Sequence, residues 1–228
     1  RAEAIRKLTD TYNEMKNYEA ARRTYALLVG YEELGLKPPE EKKKEEEEKK
    51  SKGVKEQNPI IRDYLNTADR LYVNNKYKEA MFFYQRIIQE SPDSPYCAYA
   101  QRNIGICYAG LKDYEKSVEE LEKVVKKYPE SSWAPNALER MGIYYWQGLE
   151  DLDKAITAFS ELIDKYPEDT LAPQGYYSLG QIYTIRKDYK KAKATYHLLI
   201  QKYPDFTFIS RVRENLRKIA KEERSKGK

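Results

Sequence analysis

The stretch Gly105 to Pro129, GICYAGLKDYEKSVEELEKVVKKYP, decides how this chain folds. It returns in altered form as Gly142 to Pro167 and Gly180 to Pro204. A degraded copy runs from Ala68 to Pro92, and a fifth from Thr9 to about Glu33. Pro92, Pro129, Pro167 and Pro204 are 37, 38 and 37 residues apart, and Gly105, Gly142 and Gly180 are 37 and 38 apart. A fixed period of this size marks stacked repeats, each too small to bury its own apolar face.

Inside the quoted copy, Ile104, Tyr108 and Leu111 form one apolar stripe at helical spacing, and Leu121, Val124 and Val125 form another. Lys112-Asp113-Tyr114 is the polar turn between them. Tyr128-Pro129 closes the copy, because proline lacks an N–H and drives its predecessor out of the helical region. The unit is therefore a helical hairpin. Small residues stand where helices must approach: Ala68, Gly105, Gly142 and Gly180 in the first helix, Ala21, Ala80, Ala155 and Ala192 in the second. Tyr84, Phe159 and Tyr196 are expected to fill the opposing holes. Most of the 22 tyrosines recur at fixed repeat positions and read as packing residues.

This order resembles the tetratricopeptide repeat (TPR): small residue, aromatic, turn aromatic, Ala, large residue, apolar pair, Pro. The fourth copy of the 59–206 block carries it as Leu179-Gly180, Tyr183, Tyr189, Ala192, Tyr196, Leu199 and Pro204. The second copy departs at Ser117 and Leu121. The third has Leu152 at the turn aromatic and one extra residue within Gly148-Leu149-Glu150-Asp151. The resemblance implies an all-α fold, an alpha-alpha superhelix (TPR solenoid) of about five helical hairpins plus a C-terminal capping helix. The divisions expected are a hairpin at 1–34, a charged Lys/Glu-rich linker or exposed helix at 35–58, and four repeats at 59–94, 95–131, 132–169 and 170–206. A capping helix and tail occupy 207–228, with Ile209, Val212, Leu216 and Ile219 as its buried stripe.

The loops narrow the resemblance. Tyr128-Pro129-Glu130-Ser131-Ser132-Trp133-Ala134-Pro135 and Tyr166-Pro167-Glu168-Asp169-Thr170-Leu171-Ala172-Pro173 look like the bacterial cell-envelope branch. That branch includes the Tol–Pal system coordinator and the outer-membrane barrel-assembly lipoproteins. It implies a periplasmic or outer-membrane-associated location, with a cytoplasmic one as the alternative. The chain begins at Arg1 within a helical pattern, as expected of a processed or partial chain.

Composition narrows the function classes. Net charge is +5 with 35% charged residues, and acids and bases read as interspersed. That pattern suits solvated faces, so nucleic acid is not an expected partner. No stretch is apolar enough to span a bilayer. Cys97 and Cys107 are ten residues apart on or beside one helix, about 15 Å, too far for a mutual disulfide. They read as packing residues. The one histidine, His197, is expected to be packed or half-exposed, and no metal cluster, phosphate loop or nucleophile motif accompanies it. The chain reads as non-catalytic, with no cofactor and no small-molecule substrate.

The resemblance implies that first helices line a concave groove that takes an extended peptide or helix of a protein partner. The residues carried over are Arg62, Leu65, Asp69 and Tyr72, then Tyr99, Arg102, Asn103 and Ile106. Asn136, Glu139, Arg140, Ile143 and Trp146 follow, then Gln174, Tyr177, Gln181 and Thr184. Arg, Trp and Tyr are the expected anchors. A terminal-carboxylate grip is not expected, since Asp69 would repel the ligand and the lysines of that mode are missing. Two alternatives stand beside the groove: a structural subunit docking through its convex face or residues 36–58, and a solenoid that binds RNA or another anionic polymer.

Overall fold

The computed structural model describes residues 59–226. The hairpin expected at 1–34 and the charged segment at 35–58 lie outside the described residues. Within 59–226 the fold is all-α: α1 (Pro59–Val73), α2 (Tyr77–Glu90), α3 (Cys97–Gly110), α4 (Tyr114–Lys127) and α5 (Trp133–Ile143) come first. A π-helical turn, Tyr144–Gly148, follows α5 directly. Then come α6 (Leu152–Lys165), α7 (Ala172–Ile185), α8 (Tyr189–Lys202) and α9 (Ile209–Lys226). The described residues fall into two compact units that divide between residues 100 and 101.

The turns inside the hairpins share one construction. Asn75, Lys112, Glu150 and Lys187 each adopt positive φ, between 55° and 64°, and reverse the chain in two residues. The next residue in three of them is an aspartate that caps the following helix. Asp113, Asp151 and Asp188 accept from the backbone N–H groups of Lys116, Lys154 and Lys191 at 3.2, 3.0 and 3.1 Å. These bonds satisfy one orphan donor at each helix start. At the first turn Lys76 takes this place and makes no side-chain cap. Lys116 also pairs with Asp113 at 2.6 Å, which holds that carboxyl below its usual range.

In the first unit, Ile61, Tyr64, Ala68 and Leu71 of α1 pack with Ala80, Phe83, Tyr84 and Ile87 of α2, all buried. In the second unit the small-residue and large-residue pairing is direct. A Cβ added at Gly105 would sit 2.8 Å from Leu121 Cγ, and one at Gly142 would sit 2.6 Å from Phe159 Cζ. One at Gly180 would meet Cδ1 and Cζ of Tyr196 at 2.6 Å. Leu121, Phe159 and Tyr196 are each fully buried. Leu111, expected in the core stripe, is exposed instead, because the chain leaves the helix at Gly110 and turns outward before it.

Successive repeats are tied at their loops. Tyr166 donates its hydroxyl to the carbonyl of Pro129 at 2.8 Å, and Tyr203 donates to that of Pro167 at 2.6 Å. In both cases the tyrosine of a Tyr-Pro pair answers the proline of the pair before it. Arg186 pairs with Asp153 at 2.8 Å across the same two repeats. On α9, Ile209, Val212 and Ile219 are buried and Leu216 is half-buried, as the apolar stripe predicts. Asn215 donates to the Tyr196 hydroxyl at 3.1 Å, and Lys193 pairs with Glu223 at 2.8 Å, fastening α9 to α8.

Ser117 occupies the position where other copies have alanine. It is fully buried, and its hydroxyl has no hydrogen-bond partner. An unsatisfied buried hydroxyl costs more than a methyl in the same place. Ser117→Ala is therefore expected to raise stability by about 1 kcal/mol in urea unfolding, and a loss of stability would contradict this account.

Candidate partner-binding groove

The residues expected to line the groove divide between the two units. In the first unit Arg62 is exposed, while Asp69, Tyr72 and Tyr99 are half-buried. Asp69 is engaged within the fold. Its Oδ1 accepts from the Tyr84 hydroxyl at 2.6 Å and from the Tyr99 hydroxyl at 3.0 Å. Tyr99 and Tyr84 also meet edge to face at 6.2 Å. Sequence spacing placed Asp69 and Tyr99 in one list but did not show this direct bond. Tyr72 rests against Tyr77, with ring centroids 5.9 Å apart.

In the second unit the groove positions gather around Arg102. Its Nε donates to Asn136 Oδ1 at 2.5 Å and its Nη1 to Asn103 Oδ1 at 2.7 Å. Its guanidinium lies 5.0 Å from the centre of the Trp133 ring. Arg102 is thus held on three sides by its own fold. Trp133 was read from sequence only as part of a loop, although a tryptophan at the start of the next first helix stands where an arginine can stack.

Two expected groove residues are not surface. Asn103 is 3% exposed because it sits under the Arg102 guanidinium as an acceptor. Tyr177 is 5% exposed because Phe206 and Phe208 of the loop before α9 cover it, at 6.2 and 5.8 Å between centroids. Both are taken up inside the fold, Asn103 by Arg102 and Tyr177 by the closing loop, which period alone does not reveal.

Ile106, Glu139, Arg140, Ile143, Trp146 and Gln181 are half-buried. Burial pushes the Glu139 carboxyl above its usual range, against the pull of Arg140 and then Arg102, with Asp169 adding to the rise. The Nε of Arg140 is buried without a hydrogen-bond acceptor. Ile143 and Trp146 pack on the core formed by α6, α7 and α8. Trp146 lies within the π turn, in the stretch where the third copy is one residue longer than the others.

Other candidates for chemistry separate from this arrangement. Cys97 and Cys107 are buried free thiols. Cys97 donates to the carbonyl of Ser91 at 3.1 Å, and burial pushes the Cys107 thiol up to about 12. A thiol held protonated this way is a packing group at neutral pH. His197 is exposed, where a packed or half-exposed side chain was expected, because its position on α8 faces away from the core side of that helix. Among the described residues no group of three or more His, Cys, Asp or Glu is arranged to hold a metal.

The tetratricopeptide-repeat family profile matches residues 99–131, 136–169 and 174–205. These three stretches match the repeat profile over somewhat less than half of the chain. The chain has no match among curated protein sequences. Among solved structures it is similar to MamA, at 20% identity over 72% of this chain and 85% of that one, with a TM-score of 0.53. It is similar to a tetratricopeptide repeat protein from Parabacteroides merdae, at 15% identity over 96% and 73%, with a TM-score of 0.52. It is also similar to YrrB, described as a TPR protein with an unusual peptide-binding site. That match has 17% identity over 68% and 74%, with a TM-score of 0.50. At these identities the likeness shows the fold, and the repeats locate Arg102, Glu139, Arg140 and Trp146 on first-helix positions.

Proposed function

We propose that this chain is a non-catalytic scaffold that holds a partner protein through the first-helix faces of its repeats, within a bacterial cell-envelope assembly. The observation that carries the reading is the set of half-buried residues Glu139, Arg140, Ile143 and Trp146. It combines an aromatic, an aliphatic and a charged pair, and the buried Arg140 Nε has no acceptor among the described residues. Partly desolvated Arg and Trp side chains are the commonest binding anchors. YrrB, which shares the fold, carries a peptide-binding site by its description, and that supports a peptide or helix as the bound form. The envelope setting rests on the Tyr-Pro loops that resemble that branch. No helix among the described residues is long and apolar enough to cross a membrane.

Arg102 is not the residue to test, since its removal would free Asn136 and Asn103 and uncover Trp133. The test is a quantitative pull-down from native-source envelope extract with the intact chain and with Arg140→Glu/Trp146→Ala. A partner captured by the intact chain and reduced at least tenfold by the double variant is expected, with helicity unchanged by circular dichroism. Equal capture by both would place partner binding outside these faces and overturn the reading.

A further inference from the structure

Positive charge is concentrated at one end of the chain, although acids and bases are interspersed along the whole. Residues 186–226 hold thirteen basic and five acidic side chains, a net of +8, although the whole chain carries +5. On α9 this charge is further sorted by face. Arg213, Arg217, Lys221 and Arg224 are all exposed, and none forms an ion pair among the described residues. At 100° per residue they fall within an arc of roughly 80°, and at 1.5 Å per residue they span roughly 16 Å along the helix. The arc lies away from Val212, Leu216 and Ile219, which face α8 and the core. It contains no acid and no large apolar side chain.

The acids of α9 stand outside this stripe and are already engaged: Glu214 borders it, while Glu222 and Glu223 lie toward α8. Glu214 pairs with Lys218 at 2.7 Å, Glu223 with Lys193 at 2.8 Å, and Glu222 accepts from the Tyr189 hydroxyl. Their placement bears on what the stripe can meet. A duplex that received α9 in a groove would bring phosphates against the helix side that carries Glu214, which would repel them. A flat anionic surface would touch only the top of the arc, where every charge is positive. With no large apolar side chain in the arc, contact stays at the headgroup level.

We propose that the outer face of α9 docks on an anionic lipid surface through Arg213, Arg217, Lys221 and Arg224. The site is separate from Arg140 and Trp146, so either reading can fail without the other. Each cation near such a surface contributes about a fivefold increase in binding at moderate ionic strength, and the gain falls as salt shortens the Debye length.

The experiment is flotation of the full chain with vesicles of 30% phosphatidylglycerol in phosphatidylcholine, beside vesicles of phosphatidylcholine alone. At low salt, binding to the anionic vesicles is expected to exceed binding to neutral ones at least tenfold, and to fall steeply by 0.3 M salt. R213Q/R217Q/K221Q/R224Q, which keeps long helix-forming side chains, is expected to float at the neutral-vesicle level. K78E/K112E/K126E/K127E, which changes charge on exposed lysines elsewhere, is expected to retain most of the binding. Binding unchanged in the glutamine variant, or equal on neutral vesicles, would overturn the proposal. So would tighter binding of a 20-base-pair DNA duplex or of polyglutamate than of the anionic vesicles, which would assign the face to nucleic acid or to an acidic protein.

Discussion

Phe159→Ala is expected to lower the unfolding free energy of residues 101–228 by about 3–5 kcal/mol, the range for emptying a buried aromatic site. Phe159 is fully buried in α6, and its ring tip lies against the bare backbone of Gly142 in α5. Gly142 has no side chain to swing into the space, so one wall of the cavity is fixed helix. Ala155 and Tyr176 are buried in the same core. Both tryptophans of the chain, Trp133 and Trp146, lie in this unit, so urea unfolding followed by tryptophan fluorescence reports on it. Phe159→Leu should lose less than half as much. A loss under 1 kcal/mol for the alanine variant would mean that the two helices do not depend on this contact.

Gly180→Ala is expected to destabilise the same unit by about 2 kcal/mol, although glycine to alanine inside an exposed helix stabilises by about 1 kcal/mol. The reversal of sign comes from Tyr196. A methyl at position 180 would overlap the Tyr196 ring at Cε1, Cδ1 and Cζ. The ring cannot withdraw freely, since it is fully buried and Asn215 of α9 bonds its hydroxyl. Relief therefore requires α7 and α8 to separate, which loosens α9 as well. The control is Gly180→Ala/Tyr196→Leu, in which the smaller side chain leaves room for the methyl. The double variant should lose less than the sum of the two single losses, as expected for residues in contact. Additive losses would sink the argument.

These two sites also show what was legible in the sequence. Gly180 with Tyr196 and Gly105 with Leu121 are each 16 residues apart, and Gly142 with Phe159 is 17 apart because the third copy has one extra residue, so a period count that allows for it pairs them without coordinates. The stripe of α9 was readable in the same way, from spacing alone. Other features have no such signature. The positive φ at Lys112, Glu150 and Lys187 is carried by residues that do not favour it, because the capping aspartate that follows and the fixed helix ends impose the turn. The tyrosines of the Tyr-Pro loops look like ordinary packing residues, yet their hydroxyls bind a carbonyl 36 or 37 residues earlier. Of the candidate site, the first-helix positions were legible, but not which of them are consumed internally. Asp69, Arg102, Asn103 and Tyr177 resemble free anchors in sequence and are occupied by Tyr84, Asn136, the Arg102 guanidinium and Phe208 in the fold.

The π turn at Tyr144–Gly148 bears on how such a chain tolerates change in length. One added residue in an α-helix advances every later side chain by about 100°, which would carry a buried face toward solvent. Here the surplus is taken up locally, in a single wider turn. Gly148 closes it, and a Cβ there would lie 2.6 Å from the Tyr114 ring. Downstream, α6 resumes in phase, and Ala155 and Phe159 reach the core as their counterparts Ala192 and Tyr196 do. The wide turn acts as a phase corrector, so an insertion that would scramble one hairpin is confined to five residues. Its location on a first helix, with Trp146 at its centre, means that a length change there re-aims one aromatic side chain and leaves the hairpin's core packing as it was.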